Sequence, residues 1–275
     1  MTRSILITGC SSGIGLDAAQ TLAAEGWRVF ATCRAEADCA RLREAGLESF
    51  VLDHATPETI AAAFDTALDR TGGTLDAVFL NGAYAVPAPL QDVPTEAMRA
   101  IFEANFIGWH DLARRAVPVM RAQGHGRIVF NSSVLGFIAA KYRGAYIATK
   151  FAVEGYADTL RLEMRGTGVH VSLLQPGPID TAFRANAIAQ FERWIDWEAS
   201  PLADEYRARL LDHLYNGSAG SAFELPARAV TDRLRHALTA RRPRARYRIT
   251  TPTKVMAMAK RLLPGRAFDQ ACDRI

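Results

Sequence analysis

The sequence predicts a single α/β domain built on a doubly wound parallel sheet. Short apolar, β-branched runs such as Ser4–Ile7 alternate along the chain with segments whose apolar residues recur at helical spacing. Every motif described below follows one of these runs. It should therefore lie at the carboxyl end of a strand, where ligands bind in such sheets. The 275 residues can bury one substantial core, and no linker divides them.

Strands and helices should alternate regularly. The predicted strands are Arg3–Thr8, Trp27–Cys33, Glu48–Leu52, Leu75–Leu80, Arg127–Ser132 and Val169–Gln175. The predicted helices are Gly13–Glu25, Ala35–Ala45, Pro57–Arg70, Thr95–Gln123 and Gly144–Arg165. Pro118 lacks a backbone donor and is expected to kink the longest of these helices.

The composition is that of an ordinary globular protein. Hydrophobic residues make up 49% and charged residues 23%, and no apolar run approaches the roughly 18 residues that a membrane span needs. Met1 leads directly into the first strand, so we expect no signal peptide. The cysteines show neither disulfide nor metal-site spacing, which predicts no metal and a reducing cytoplasm: Cys10, Cys33, Cys39 and Cys272.

Positive charge is concentrated at the C-terminus. From Pro226 onward 13 Lys/Arg stand against 3 Asp/Glu, a balance of +10, and because the whole chain carries +4, the rest carries −6. Within the basic extension 250–275, the segment Val255–Leu263 has an apolar face flanked by cations. This predicts peripheral membrane contact, or else packing against a partner subunit or the chain's own body. No nucleic-acid partner is predicted, because no recognition motif accompanies the charge.

A glycine-rich turn follows the first strand. Gly9, Gly13 and Gly15, with Ser11, Ser12 and Ile14 between them, lead from the strand into a helix. Glycines here let the backbone turn tightly and approach a pyrophosphate at the N-terminal end of the helix. A tight turn without a ligand is the alternative.

Arg34 follows the second strand, at the position where an acidic residue would accept the ribose hydroxyls of NAD. A guanidinium there can instead hold the extra phosphate of NADP through paired, charge-assisted hydrogen bonds. We therefore predict NADP(H) as the cofactor. The alternative is a solvated arginine at the start of a helix.

Tyr146 and Lys150 lie one helical turn apart, so both side chains point the same way. A nearby cation favours the phenolate and lowers the pKa of a tyrosine, which could then transfer protons near neutral pH. The spacing alone also fits a solvated helix face. Ser133, thirteen residues upstream at the end of a strand, makes the catalytic interpretation stronger.

These motifs together resemble the short-chain dehydrogenases/reductases. The glycine pattern, Ser133, the Tyr-x-x-x-Lys pair and Pro176-Gly177 after a strand occur in that family's order along residues 3–181. The resemblance implies a Rossmann fold with a seven-stranded sheet, whose last strand would be Arg244–Ile249.

The resemblance also implies catalytic roles. Tyr146 would be the general acid/base and Ser133 would donate to the substrate oxygen. Lys150 would lower the pKa of Tyr146 and bind the nicotinamide ribose. Asn105 matches the position that kinks the long helix so that water can connect Lys150 to solvent, although an asparagine in a helix can also be structural.

Further cofactor contacts are implied at other strand ends. Asp53 would contact the adenine amino group or, alternatively, cap a helix N-terminus. Asn81 matches the family's asparagine motif, but the alanine and glycine after it are exchanged, so the backbone near the ribose is expected to differ. Backbone and side chains after the sixth strand would hold the nicotinamide carboxamide: Pro176, Gly177, Ile179 and Thr181.

The predicted substrates are lipophilic aldehydes, ketones and alcohols. Residues 5–15, 31–34 and 260–266 resemble the branch that contains retinol and hydroxysteroid dehydrogenases and bacterial NADP-dependent aldehyde reductases. Segment 183–225 should cover the site mouth with aromatic side chains, although each could simply pack the segment onto the body: Phe183, Phe191, Trp194, Trp197, Tyr206, Tyr215 and Phe223. Phe137 and Tyr142 are the expected wall residues.

The sequence thus predicts an NADP(H)-dependent oxidoreductase that transfers hydride between nicotinamide and a lipophilic carbonyl compound or its alcohol. One alternative is a catalytically silent nucleotide-binding regulatory or scaffold protein of the same fold. A dehydratase or epimerase on this scaffold is another. The resemblance also suggests a homo-oligomer built on the helices Thr95–Gln123 and Gly144–Arg165.

Overall fold

A seven-stranded parallel sheet forms the centre of the computed structural model, which describes residues 2–217 and 223–273. Within those residues the strands pair in the order β3-β2-β1-β4-β5-β6-β9. Their bounds are Ser4–Thr8 (β1), Arg28–Cys33 (β2), Glu48–Val51 (β3), Ala77–Leu80 (β4), Gly126–Asn131 (β5), Val169–Gln175 (β6) and Arg246–Arg248 (β9). The order runs outward in both directions from the β1/β4 pair, which confirms the doubly wound sheet of one domain.

Helices cover both faces of the sheet. One layer contains α1 (Gly13–Ala24), α2 (Glu36–Glu44) and α9 (Arg228–Thr239). The other contains α3 (Pro57–Thr71), α5 (Gly108–Gln123) and α6 (Gly144–Glu163). The last of these ends before the predicted Arg165.

Strand β1 shows why its sequence is apolar throughout. Ile5 and Ile7 pack under α1, α2 and α9, whereas Leu6 between them packs under the opposite layer, and all three are fully buried. Successive side chains of a strand point to opposite faces, and helices cover both faces here. Each such side chain contributes about 1.5–3 kcal/mol by leaving water.

The long helix predicted for Thr95–Gln123 changes geometry at a different place from the one expected. It consists of α4 (Thr95–Phe102), a π-helical turn at Glu103–Ile107, and α5, which stays α-helical across Pro118. Pro118 and Arg114, whose carbonyl loses its donor there, are both exposed, so water can replace the missing bond. The interruption instead falls at Asn105, which contacts the site described below.

The remaining elements lie around the carboxyl edge of the sheet. Two short parallel strands, β7 (Ile179–Asp180) and β8 (Leu225–Pro226), accompany α7 (Phe183–Trp194), α8 (Ala203–Glu205) and the π-helical turns Tyr206–Leu210 and Asp212–Asn216. Turns of 3₁₀ helix occupy Leu90–Asp92 and Val134–Gly136, and the chain continues into α10 (Thr251–Leu262) and α11 (Gly265–Cys272). Part of the predicted covering segment, 218–222, and part of the basic extension, 274–275, lie outside the described residues. None of the described helices combines the length and apolarity that a membrane crossing requires.

Candidate active site

The glycine-rich turn lies after β1, and positions 9, 13 and 15 in it have room only for glycine. Gly9 and Gly13 have φ of 70° and 56°, in the left-handed region. A Cβ on Gly15 would lie 2.1 Å from the Gly9 carbonyl oxygen, and one on Gly9 would lie 2.6 Å from the Gly82 Cα. The backbone of this turn is therefore held close to the loop that follows β4.

Hydrogen bonds connect this turn to the catalytic helix. Asn81 donates from Nδ2 to the Thr8 carbonyl oxygen at 3.0 Å, and Asn131 donates from its own Nδ2 to Asn81 Oδ1 at 2.8 Å. Lys150 in turn donates from Nζ to the Asn131 carbonyl oxygen at 2.8 Å. The ends of β1, β4 and β5 are thereby joined to α6 in one chain of contacts, and Asn81 lies where the sequence predicted it.

The exchanged glycine after Asn81 has a direct structural role. Gly82 is the residue that faces Gly9, and a Cβ at position 82 would lie 3.3 Å from the Gly9 Cα. That separation is tighter than ordinary van der Waals contact. Glycine at 82 is what lets the β1 and β4 loops approach each other so closely.

Asn105 is fully buried in the π-helical turn. Its Oδ1 accepts from the Tyr84 amide at 3.1 Å, and its Nδ2 donates to the Tyr84 carbonyl oxygen at 2.8 Å. A further bond of 3.3 Å runs from Nδ2 to the Thr149 hydroxyl, beside Lys150. Asn105 thus ties the loop after β4 to α6, and its predicted role toward water stays a prediction.

Tyr146 and Ser133 meet at the carboxyl edge of the sheet. Ser133 is in extended conformation before the turn Val134–Gly136, and its Oγ accepts from the Leu135 amide at 3.1 Å. Its hydroxyl is hydrogen-bonded to Tyr146, which is 7% exposed. The edge of the Phe183 ring contacts Tyr146, with the ring centroids 5.3 Å apart.

The electrostatic surroundings of Tyr146 differ from the prediction. Burial raises the pKa of Tyr146 well above its ordinary value, while the hydrogen bond with Ser133 and the charge of Arg143 lower it. Lys150, which was predicted to lower this pKa, is not among the groups that do so. In the absence of other charges the phenol therefore remains protonated throughout the neutral range.

Lys150 is itself shielded from water. Its side chain is 1% exposed, and burial lowers its pKa from 10.5 to about 7, against the opposing charge of Glu154. Besides the Asn131 carbonyl, Nζ faces two aromatic rings, Trp109 at 4.3 Å and Tyr146 at 5.4 Å from the centroids. Its positive charge is therefore disfavoured near neutral pH, and when present it lowers the pKa of the neighbouring His54.

Arg143 is a site residue that the sequence interpretation missed. It immediately precedes α6, and its guanidinium donates to His213 Nε2 at 3.0 Å. With the described residues it forms no ion pair, and its pKa is lowered by burial and by Arg184. A basic residue three positions before a tyrosine was the available signal, because i and i+3 are neighbours at the start of a helix.

The residues after β6 stand beside the glycine turn, and their contact with the nicotinamide carboxamide stays a prediction. A Cβ on Gly13 would lie 2.9 Å from Thr181 Cγ2, and Ile179 packs in the same apolar cluster as Ile14. Gly177 is covered by the C-terminal segment, since a Cβ added at this position would lie 2.2 Å from Thr250 Oγ1. The Pro176 carbonyl oxygen accepts from the Val134 amide at 2.7 Å, next to Ser133.

The two serines of the turn have distinct surroundings. Ser12 is exposed and extended, and it immediately precedes α1. The Ser11 carbonyl oxygen accepts from Arg41 at 2.7 Å. Backbone amides at the start of α1, whose first turn contains no acidic residue, suit a pyrophosphate in the space that the glycines leave. The residues present therefore fit a dinucleotide.

Arg34 and Asp53 mark the expected adenosine end. Arg34 is exposed after β2 and makes no hydrogen bond or ion pair with the residues the structure describes. Asp53 Oδ1 accepts from the Ala55 amide at 3.0 Å, which closes a short turn. The alternative of a helix cap at Asp53 is wrong, because Thr56 occupies the N-cap position of α3. The adenine contact stays a prediction.

Most of the predicted covering aromatics join one cluster with Tyr146. The members are Phe183, Phe191, Trp194, Trp197 and Tyr206, together with Tyr142. Tyr215 and Phe223 are instead 47% and 56% exposed, and Phe137 packs with Ile138 and Met256 in a separate cluster. Phe137 is therefore not a wall residue of this cluster, whereas the alternative of packing onto the body accounts for the fully buried Phe191 and Tyr206.

Comparison with known proteins agrees with this geometry. A model of the short chain dehydrogenase family matches residues 3–191. The chain is a short-chain dehydrogenase/reductase. It is 38% identical over 271 residues to YbbO of Escherichia coli K12, named an uncharacterized oxidoreductase, covering 98% of this chain and 94% of that one. To human 17-beta-hydroxysteroid dehydrogenase type 6 it is 32% identical over 284 residues, covering 99% and 88%.

A solved structure shares the whole architecture. The short-chain dehydrogenase/reductase of Burkholderia phymatum in complex with NAD aligns with a TM-score of 0.77 at 26% identity, covering 95% of each chain. The predicted family and Rossmann fold are therefore confirmed. As a short-chain dehydrogenase/reductase, the chain is an oxidoreductase with a nicotinamide-dinucleotide fold.

Replacing the buried lysine should change how stability depends on pH. Because the unfolded chain binds a proton on Lys150 up to about pH 10.5 and the folded chain only to about 7, this residue makes wild-type stability rise with pH across that window. Lys150→Met should remove that slope. Its free energy of unfolding should exceed that of wild type most at and below about pH 7, by on the order of a few kcal/mol, and the gain should shrink toward pH 10.

Urea unfolding at a series of pH values measures the effect. Lys254→Met, which removes an exposed lysine, is the control and should follow wild type. Parallel stability profiles for Lys150→Met and wild type would contradict the expected dehydration of Lys150.

Proposed function

We propose that this short-chain dehydrogenase/reductase is an NADP(H)-dependent oxidoreductase acting on lipophilic aldehydes, ketones or the matching alcohols. The observation that carries the proposal is the buried Tyr146, hydrogen-bonded to Ser133 and one turn before Lys150. This group lies at the carboxyl edge of the sheet and is linked through Asn131 and Asn81 to the glycine turn. Ligands of doubly wound sheets bind at this edge.

The cofactor would lie along the edge that these residues form. The glycine turn with Ser11, Ser12 and Ile14 would receive the pyrophosphate, and the segment from Pro176 to Thr181 the nicotinamide end. Lys150, whose Nζ now donates to the Asn131 carbonyl, would hydrogen-bond the ribose. When bound, the cofactor supplies or accepts the hydride.

The proton is handled by the protein. In reduction Tyr146 donates its proton to the substrate oxygen while Ser133 donates a hydrogen bond to the same atom, which stabilises the developing negative charge. The raised pKa of Tyr146 keeps the phenol protonated and so suits this direction. In oxidation Tyr146 accepts the proton, and the positive charge of Arg143 and the hydrogen bond with Ser133 then favour the phenolate.

An apolar substrate fits the surroundings of Tyr146. Its ring shares a cluster with aromatic and aliphatic side chains from α7 and the following turns, and the edge of Phe183 lies against it. Such walls bury the body of a lipophilic carbonyl compound, while Ser133 and Tyr146 supply the two polar contacts that orient its oxygen.

Removing one hydroxyl tests the proposed reaction. NADPH oxidation would be followed with aliphatic and aromatic aldehydes, retinal and steroid ketones. Tyr146→Phe should lower kcat by about two to four orders of magnitude, because the proton donor is lost while NADPH affinity persists. Tyr156→Phe is the matched control. It also lies on α6, and it loses only a hydroxyl bonded to His110 at 3.1 Å.

Two alternatives make different forecasts for the same assay. A silent nucleotide-binding regulatory or scaffold protein would bind NADPH but turn over none of the panel. The complete set Asn105, Ser133, Tyr146 and Lys150 favours an enzyme over that alternative. A dehydratase or epimerase would also leave NADPH unconsumed, but it would convert a hydroxylated substrate without net redox change. Full activity in Tyr146→Phe would defeat the proposed mechanism.

Arg34 supports NADP(H) rather than NAD(H). It is an exposed guanidinium after β2, without a carboxylate partner among the described residues, in the place where the adenosine ribose would lie. Such a group can bind a phosphate by two parallel charge-assisted hydrogen bonds.

Reversal of this charge tests the cofactor choice. Arg34→Asp should lower kcat/KM for NADPH by about tenfold to a hundredfold, the value of a charged hydrogen-bond pair, and leave that for NADH within about threefold. The control is Arg242→Asp, which makes the same change at an exposed position just before β9. That strand is the last one on the side of the sheet away from β2. Equal losses with both cofactors in Arg34→Asp would refute the assignment.

Two exposed apolar surfaces support two further proposals about partners. On α10, Val255, Met258 and Leu262 are 53%, 60% and 73% exposed beside Lys254 and Arg261, which suits the surface of an anionic membrane. The second surface lies on the two helices predicted to form a homo-oligomer contact, Thr95–Gln123 and Gly144–Arg165. There Ile107 and Leu162 are 42% and 50% exposed, which suits such a contact.

A crossed pair of double variants separates these surfaces. Val255→Ser/Met258→Ser should abolish flotation with phosphatidylglycerol vesicles and keep the wild-type mass in sedimentation. Ile107→Ser/Leu162→Ser should reduce the mass and keep flotation, so each variant is the other's control. Wild type that does not float removes the membrane proposal, and a monomeric wild type removes the oligomer.

A further inference from the structure

Trp109 is the largest fully buried side chain near the site and has no role in the reaction described above. It lies in the first turn of α5 and is 1% exposed. Its Nε1 donates to the Gly82 carbonyl oxygen at 3.0 Å. The ring also packs against His54 and Phe130, with centroids 6.1 and 6.2 Å away. The indole is therefore fixed in orientation as well as position.

The face of this indole receives the Lys150 ammonium. Nζ lies 4.3 Å from the ring centroid, well inside the distance at which a cation and an aromatic face attract each other. From another direction the Asn131 carbonyl oxygen accepts from the same nitrogen at 2.8 Å. The ammonium thus has one conventional acceptor and one aromatic face in place of water.

Two glycines allow the indole to sit there. A Cβ on Gly108, directly before Trp109, would lie 2.2 Å from the His54 carbonyl oxygen. One on Gly82 would lie 3.4 Å from His54 Cε1 and tight against Gly9. The exchanged glycine of the β4 loop therefore also presents the carbonyl that holds the Trp109 N–H.

Glu154 is the charged group that acts on Lys150 apart from the indole contact. It lies one turn away on the same helix as the protonated Tyr146, and its carboxylate favours the ammonium while also forming a salt bridge with Arg246 at 3.0 Å. His54, from the loop after β3, is buried with its pKa lowered to about 4, so it is neutral. From β5 comes only the Asn131 carbonyl. The indole is the extended electron-rich surface among these contacts.

We propose that Trp109 is a positioning residue that holds the Lys150 side chain beside Tyr146 and favours its charged form, without itself touching substrate or cofactor. The inference rests on the proposed function, in which the Lys150 ammonium hydrogen-bonds the cofactor ribose. Burial disfavours an ammonium, and the negative face of an indole opposes that penalty at the same place. Trp109 would thereby keep Lys150 useful at neutral pH.

The chain offers a direct way to observe this contact. Its lysines are Lys141, Lys150, Lys254 and Lys260, so a protein labelled with ¹³Cε-lysine gives a spectrum of four signals. Lys150→Met identifies the Lys150 signal by its absence. In wild type this signal should carry a ring-current shift from Trp109 and titrate within the range accessible to the folded protein.

Loss of the ring should change that signal. Trp109→Leu should abolish the ring-current shift and move the Lys150 titration midpoint down by about 0.4 to 1.5 pH units, the strength of a cation–π contact. Trp109→Met places a longer, more adaptable side chain without a ring in the same space and should behave alike if the leucine variant folds poorly. Trp109→Phe should restore most of the midpoint, because it keeps an aromatic face, although the ring is smaller and lacks the N–H.

Trp27→Leu is the matched control. Trp27 is a buried indole with a cation over its face, the Arg3 guanidinium at 4.4 Å. It directly precedes β2 and so lies at the amino ends of the strands, opposite the carboxyl edge that carries Lys150. Its loss should destabilise the protein but leave the Lys150 signal unchanged. A wild-type midpoint in Trp109→Leu and Trp109→Met, or the same displacement in Trp27→Leu, would overturn the proposal.

Kinetics distinguish failure of this inference from failure of the proposed function. If both hold, the alkaline limb of kcat for NADPH-dependent reduction should move in Trp109→Leu by the same amount as the lysine midpoint. A displaced midpoint in a protein that turns over no carbonyl compound would support the Trp109 contact and reject the function. Normal turnover in Trp109→Leu together with an unchanged Lys150 titration midpoint would support the function and reject the Trp109 contact.

Discussion

Exclusion of water from Tyr146 and Lys150 is the constraint on which the chemistry of this site depends. Burial favours the neutral form of any ionisable group, so it raises the pKa of the phenol and lowers that of the ammonium to about 7. The pair therefore does not provide its own charge by simple proximity. Neighbours act on each group: Ser133 and Arg143 on the phenol, and Glu154 on the ammonium, which also contacts the Asn131 carbonyl and the Trp109 face.

The same residues also hold the cofactor edge together. Gly9 and Gly82 are in backbone contact, and the bonds from Asn81 and Asn131 run from that contact to Lys150. Because each polar group in this chain is buried or partly buried, breaking one link leaves a partner without a hydrogen bond, at a cost of about 1–3 kcal/mol. A change in the glycine turn should therefore be transmitted to the catalytic helix.

The π-helical turn at Glu103–Ile107 belongs to this arrangement. It inserts Asn105 between the β4 loop and α6, where the amide satisfies both backbone groups of Tyr84 and the hydroxyl of Thr149. Turns of this kind frequently occur at functional sites. Immediately after it, Gly108 brings α5 close to the His54 backbone and so places Trp109 against Lys150.

Much of this protein could be predicted from its sequence. Buried parallel strands require continuous apolar runs, and the motifs follow those runs directly, so the sheet, the family, and the neighbourhood of Gly9, Asn81, Ser133 and Tyr146 were all predictable. Local rules were weaker guides at Pro118 and Asp53. Solvent exposure lets the helix continue across Pro118, and Thr56 takes the helix N-cap position that Asp53 could have held.

Sequence by itself determined which residues gather at the carboxyl edge, because alternation of strand and helix leaves them no other place. Tertiary structure alone decided the electrostatics, since burial and the approach of His54 and Trp109 depend on packing between segments far apart in the chain. Spacing can place a lysine one turn from a tyrosine. Only the packed site shows how far each side chain is shielded from water, and hence which protonation state is favoured.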